Sequence, residues 1–142
     1  MPQSQFSCTV HAIDHLVLTV KSIPVTKDFY EAVLGMRSEA FQVADGSHRW
    51  ALIFGQSKIN LHQAGKEFEP KAKTPTSGSA DLCFLTDIGL DVWTAHLNKT
   101  CTPIEEGPAH RTGATGPIQS IYIRDPDGNL IEIAQPIDQT AA

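Results

Sequence analysis

One order of elements occurs twice in this chain. Residues 13–20 alternate as a half-buried strand does: Leu16, Leu18 and Val20 share one face, and His15, Val17 and Thr19 the other. Ser22 to Pro24 then carries a helix start, with Pro24 in the first turn. The helix is expected to run to about Leu34. Val25, Phe29, Ala32 and Val33 form its apolar stripe, and Gly35 its C-terminal stop. Strands follow at 37–43, 49–54 and 58–63, separated by turns at Asp45-Gly46 and Gly55-Gln56. After a connector at 64–79, rich in Lys, Pro, Gly and Ser, the order restarts. It runs through a strand at 81–86 and a helix at 89–100 with Leu90, Trp93 and Leu97 on one face. A strand beginning at 102–105, a loop at 106–116, and strands at 119–124 and 129–134 complete it. Residue identities repeat weakly, so the order of elements carries the duplication. Each half is too small to bury a core alone. Modules of about 12–63 and 80–136 are therefore read as one α+β domain over residues 1–142.

Composition narrows the function. With 41% hydrophobic and 19% charged residues, the chain reads as a soluble globular protein. A net charge of -5 argues against nucleic acid or an anionic membrane as partner. No apolar run reaches bilayer length, and Met1 to Val10 lacks the basic-then-apolar order of a secretory signal. Three cysteines, Cys8, Cys83 and Cys101, are an odd number without metal-type spacing, which suits a reducing cytoplasm. None has an adjacent base, so they read as core or surface thiols.

The last strand poses the chemical question. Asp125-Pro126-Asp127-Gly128-Asn129 is an explicit turn, and Leu130-Ile131-Glu132-Ile133-Ala134 is apolar except at Glu132. A carboxylate there is costly unless paired, protonated or bound to a metal. With the halves in register, His15 and Asp81 open the first strands, and His62 and Glu132 sit in the last ones. The offsets nearly match: 81−15 is 66 and 132−62 is 70. Two histidines and two carboxylates are a nitrogen and oxygen donor set. It suits zinc, nickel, cobalt, manganese or iron(II). Each residue also has a plain structural reading. His15 is then a strand-end histidine bonded to backbone, Asp81 a strand-start residue bonding nearby amides, and His62 a residue on an exposed strand face. The symmetric placement favours a site. His11, His48, His96 and His110 are weaker candidates, with His96 expected to be solvated on the second helix.

These residues resemble the vicinal oxygen chelate superfamily of glyoxalase I, fosfomycin- and bleomycin-resistance proteins and extradiol dioxygenases. The resemblance rests on Ile13-Asp14-His15-Leu16-Val17-Leu18, on Phe29-Tyr30 and Leu34-Gly35-Met36, and on Tyr122 through Ile133. Asn60-Leu61-His62-Gln63, residues 65–72, 103–108 and 111–114 are similar to glyoxalase domain-containing protein 5 and its bacterial relatives, some of them described as virulence-associated. The resemblance implies paired βαβββ modules curling as an open mixed sheet around a metal-binding cup. Metal ligands are implied in the first and last strands of each module, where His15, His62, Asp81 and Glu132 stand. Typical glyoxalase I enzymes often carry His at the position of Asp81 and Glu at that of His62, so the types are exchanged here while the set is kept.

The leading expectation is a metal-dependent lyase or isomerase acting on a small oxygen-chelating substrate, with Glu132 as the movable base. Ser120, Tyr122 and Arg124 share the polar face of their strand, and Arg111 and Lys66 lie on loops, so these are the expected substrate contacts. Arg124 has the alternative of holding the turn. An iron-dependent dioxygenase using His15, His62 and Glu132 is a second reading, with Asp81 as the discriminator. A non-catalytic binding module, dimeric as antibiotic-trapping relatives are, is the third.

Overall fold

The computed structural model describes residues 7–138. Of the N-terminal stretch read above, positions 1–6 lie outside the described residues. The first half folds as β1 (His15–Val20), α1 (Ile23–Ala32), β2 (Arg37–Gln42), β3 (His48–Phe54) and β4 (Ser57–Gln63). The second follows as β5 (Asp81–Leu85), α2 (Leu90–Lys99), β6 (Glu106–Thr112), β7 (Pro117–Arg124) and β8 (Leu130–Pro136). Each half makes one four-stranded sheet, ordered β1-β4-β3-β2 and β5-β8-β7-β6. Within each, the first and last strands pair in parallel and the other pairs are antiparallel. Neither sheet closes on itself.

The period-two pattern decides the faces. Leu18, Val20, Leu52, Ile59 and Leu61 of the first sheet, and Ile121, Ile123, Ile131 and Ile133 of the second, are buried in one shared core. Phe54 and Phe84 meet edge-to-face across the two sheets, with centroids 5.3 Å apart. Fully burying each of these side chains contributes roughly 1.5–3 kcal/mol. Residues of opposite parity, among them His15, Asn60, His62, Asp81 and Glu132, therefore lie on the faces turned away from that core.

Two elements depart from the sequence reading. The buried face of α1 is Thr26, Tyr30 and Val33, while Val25 is 52% exposed and Ala32 is exposed. With this face inward, the Tyr30 hydroxyl donates to the buried Asp125 carboxylate at 2.7 Å. The stretch read as the 106–116 loop is largely a strand, β6, while residues 102–105 precede it. Its Gly and Pro are tolerated because β6 is an exposed edge with a register irregularity between Glu106 and Ala109. At Gly107 a Cβ would collide with the Ser120 carbonyl oxygen, so only glycine fits against β7. No helix among the described residues is long and apolar enough to cross a membrane.

The turn joining β7 to β8 binds the halves together. Asp125 is 5% exposed, yet its carboxylate accepts four hydrogen bonds. Oδ1 takes the Asp127 and Asn129 amides at 2.9 Å each, and Oδ2 takes Asn129 Nδ2 at 2.8 Å and the Tyr30 hydroxyl. Asn129 Oδ1 in turn accepts the Ala80 amide ahead of β5, and Asp127 Oδ1 accepts the Lys21 amide after β1. Gly128, at φ +89°, closes the turn onto the Asp125 carbonyl. Arg124 donates to both Glu105 carboxylate oxygens, at 3.0 and 2.9 Å, and to the Gly128 carbonyl. Replacing Asp125 by Ala strands several buried donors at once. We expect a loss of about 3 kcal/mol or more in urea unfolding, against about 1 kcal/mol for Tyr30→Phe, which removes one bond.

Candidate functional site

Strand register locates the chemistry. His15 is paired with Lys58 across β1 and β4, and Asn60 lies two residues further along β4 on the same face. Asp81 is paired with Leu130 across β5 and β8, and Glu132 lies two residues further along β8. Asn60 thus stands to His15 as Glu132 stands to Asp81. His62 lies four residues past Lys58, so its counterpart is Ala134, four past Leu130. The mirror pairing of His62 with Glu132 inferred from sequence offsets is corrected by this register. His62 is displaced from the His15 end of the sheet by roughly 13 Å, four residues of strand rise. The signal was present in the flanking residues: matching Ile59 and Leu61 to Ile131 and Ile133 sets Asn60 against Glu132.

The first half-site is open and underused. The His15 side chain is 43% exposed, and its Nδ1 faces Asp14 Oδ2 at 2.8 Å. Donation from Nδ1–H to Asp14 would leave Nε2 as a free lone pair, an arrangement common behind metal-ligating histidines. Asn60 Oδ1 is buried without a hydrogen-bond partner. An orphaned amide oxygen two positions along β4 from the residue paired with His15 is a candidate oxygen ligand for a cation on the same face.

The second half-site is a polar network. Ser120 Oγ donates to Glu132 Oε2 at 2.5 Å. Cys83 on β5 and Tyr122 on β7 are the cross-strand neighbours of Glu132, and its carboxylate acts on both groups electrostatically. Tyr122 accepts from Arg111 Nε at 2.9 Å, and Arg111 donates further to Glu106 and to the His110 carbonyl. Partial burial raises the Tyr122 phenol pKa; Arg111 opposes that shift and Glu132 adds to it. Asp81 is exposed on the same face. Cys83 was not singled out from sequence because β5 and β8 are distant along the chain, and only their pairing sets it opposite Glu132. Desolvation first, and then the Glu132 charge, push its thiol up to about 11.

Three expected residues serve elsewhere or differently. Arg124 is occupied by Glu105 and the turn, so its role is structural. His96 is half-buried, not solvated, and its Nε2 contacts the Val33 carbonyl at 2.9 Å, tying α2 to α1. His62 is buried on the cup face with its ring edge-on to Phe68, and burial and the Arg49 charge lower its pKa. Among the described residues, no group of three or more His, Cys, Asp or Glu side chains comes together to hold a metal. His15 with Asn60, and Asp81 with Glu132, stand in matching register on separate sheets.

Comparison with known proteins agrees with this architecture. The model of the glyoxalase/bleomycin resistance protein/dioxygenase superfamily matches residues 12–133. Virulence protein STM3117 of Salmonella typhimurium is 56% identical over 126 residues, covering 89% of this chain and 85% of that one. Its crystal structure aligns with a TM-score of 0.84 at 55% identity, over 92% of this chain and 100% of the other. Glyoxalase domain-containing protein RDO1 of Mycosarcoma maydis is 49% identical over 132 residues, 93% of this chain and 72% of that one. At 22% identity, lactoylglutathione lyase from Agrobacterium tumefaciens shares the fold, with a TM-score of 0.64 over 89% of this chain and 95% of its own.

The effect of the Glu132 charge on Cys83 has a direct readout. Iodoacetamide should alkylate Cys83 at pH 8 at least about tenfold more slowly than an unstructured thiol peptide. Glu132→Gln removes the negative charge that raises the thiol pKa, so it should speed the reaction. Equal rates in the two proteins, by peptide mass spectrometry, would show that the carboxylate does not act on the thiol.

Proposed function

The chain belongs to the glyoxalase/bleomycin resistance protein/dioxygenase superfamily, and from that membership we propose a metal-dependent lyase or isomerase for a small substrate bearing two adjacent oxygens. Its site is assembled from the His15–Asn60 half of one chain and the Asp81–Glu132 half of a second copy. The observation that carries this reading is the matched register of the two half-sites, one of which leaves the Asn60 amide oxygen buried and unpaired. Exposed apolar side chains border both halves. Ile13 and Val17, 76% and 46% exposed, flank His15, and Leu85, 66% exposed, follows Asp81 and Cys83 on β5. Covering such residues favours association face to face.

One imidazole, one amide oxygen and two carboxylates fit a divalent metal of the manganese, iron(II), cobalt, nickel or zinc group, with the oxygen-rich balance favouring the harder ions. Such an ion, when bound, supplies Lewis acidity toward the two substrate oxygens. Glu132 is the proton carrier. Ser120 holds its Oε2, so the carboxylate is oriented while it takes a proton from one substrate carbon and returns it to the neighbouring one. Tyr122, steadied by Arg111, stands beside it to position the substrate oxygen. The two-histidine triad of a dioxygenase is less well supported, because His62 lies toward the far end of the strand from His15.

Metal analysis after zinc or manganese loading should give about one ion per chain, lost in His15→Ala and in Glu132→Gln,Asp81→Asn. A refolded equimolar mixture of those two variants should regain about a quarter of the wild-type metal. Random pairing makes half the dimers mixed, and each mixed dimer holds one intact site. No recovery on mixing would place the site within one chain. The single variant Glu132→Gln should lower turnover by about 10²–10⁴-fold while substrate binding persists; unchanged turnover would remove Glu132 as base.

A further inference from the structure

Among the cavities that the chemistry proposed above does not use, one lies beside His62. It measures about 400 Å³ and opens on the cup face where β1 and β4 end, roofed by the 64–79 connector. Thr19, His62, Lys71, Thr76 and Ser79 supply polar groups to its wall, and no Asp or Glu side chain lines it. His62 is only 7% exposed, and its ring meets Phe68 edge-on rather than a hydrogen-bonding group of a described residue. Arg49 lies behind it on β3: the β3–β4 register pairs Trp50 with Leu61, which sets Arg49 beside His62. The guanidinium carbon of Arg49 lies 3.6 Å from the Phe68 ring centroid, and its Nε is buried without a partner. Among the described residues, Arg49 has no ion-pair partner within 4.0 Å. Lys71 is ion-paired with the exposed Glu69 at 3.3 Å and also feels the Glu67 carboxylate, as His62 does. The nearby Glu67 carboxylate is held by the Gly65 amide at 2.9 Å.

Thr76 and Ser79 spend their hydroxyl protons on backbone carbonyls, so Lys71, the His62 ring and Thr19 are the wall groups left to meet a ligand. A cavity with a lysine and an imidazole on its wall, no acid lining it and an unneutralised guanidinium behind it has the electrostatics of an anion site. We propose that this cavity is an anion subsite that holds a carboxylate or phosphate group of the substrate. This deepens the function proposed above and rests on it for one consequence. His62 is two residues along β4 from Asn60, so the anionic end and the chelating oxygens lie roughly 7 Å apart. The substrate class is then a small oxo or hydroxy acid, or a phosphate ester of similar length.

Metal-free protein, prepared with a chelator, separates the subsite from the metal reading. Calorimetric titration with inorganic phosphate and, separately, with succinate should show saturable one-to-one binding of at least one of them, weakened by added salt. The tighter of the two identifies the group. Lys71→Gln and His62→Gln should each weaken that binding about fivefold or more, and Arg49→Gln about threefold, with Arg49→Lys restoring most of it. Circular dichroism of each variant confirms that the sheets are intact. If wild-type protein binds neither anion, or if folded Lys71→Gln and Arg49→Gln bind as wild type does, the subsite is wrong. Anion binding in a protein that takes up no metal would leave the subsite standing and overturn the metal-dependent function instead.

Discussion

A single buried carboxylate holds the two halves of this molecule in place. Asp125 accepts hydrogen bonds from its own turn, from the Asn129 side chain and from the Tyr30 hydroxyl of the other half's helix. Through Asn129 and Asp127 the same turn takes hold of the amides beside β5 and β1. A buried charge is tolerated only when its oxygens are fully used, and here they are. Tyr30, which supplies one of those bonds, is fully buried, and that burial first and the Asp125 charge second raise its pKa. The register of β8, and with it the outward face of Glu132, is set by the same closed turn.

Repeated topology then produces repeated chemistry. In both sheets a parallel pairing of first and last strands sets a residue of one beside a polar group two positions along the other. The two half-sites are chemically unequal. Glu132 accepts from Ser120 and stands between Tyr122 and Cys83 on the neighbouring strands, whereas Asn60 presents an oxygen with no donor. Such asymmetry suits a site in which one half moves protons and the other only binds. His62, displaced toward the connector, belongs with Arg49, Phe68 and Lys71, a neighbourhood of cations around a cavity.

Much of this was legible before any coordinates. Periodicity and turn chemistry place seven of the eight strands and both helices close to their observed bounds, with the 106–112 strand missed because its Gly and Pro suit an edge as well as a loop. Glu132, isolated among isoleucines, announced itself as a residue in need of partners. His96 and Arg124 were misjudged or left open because their partners, the Val33 carbonyl and Glu105, are remote in sequence.

Local pattern therefore determined the elements, their duplicated order and the parity of each strand, since these depend on residues within a few positions of one another. Which residues stand side by side was decided only by tertiary structure. A shift of two positions in the parallel β1–β4 pairing exchanges Asn60 for His62 without altering the face either one occupies. Alternation along a strand is blind to that shift. It is settled by how the buried Ile59 and Leu61 pack against Leu16, Leu18 and the shared core.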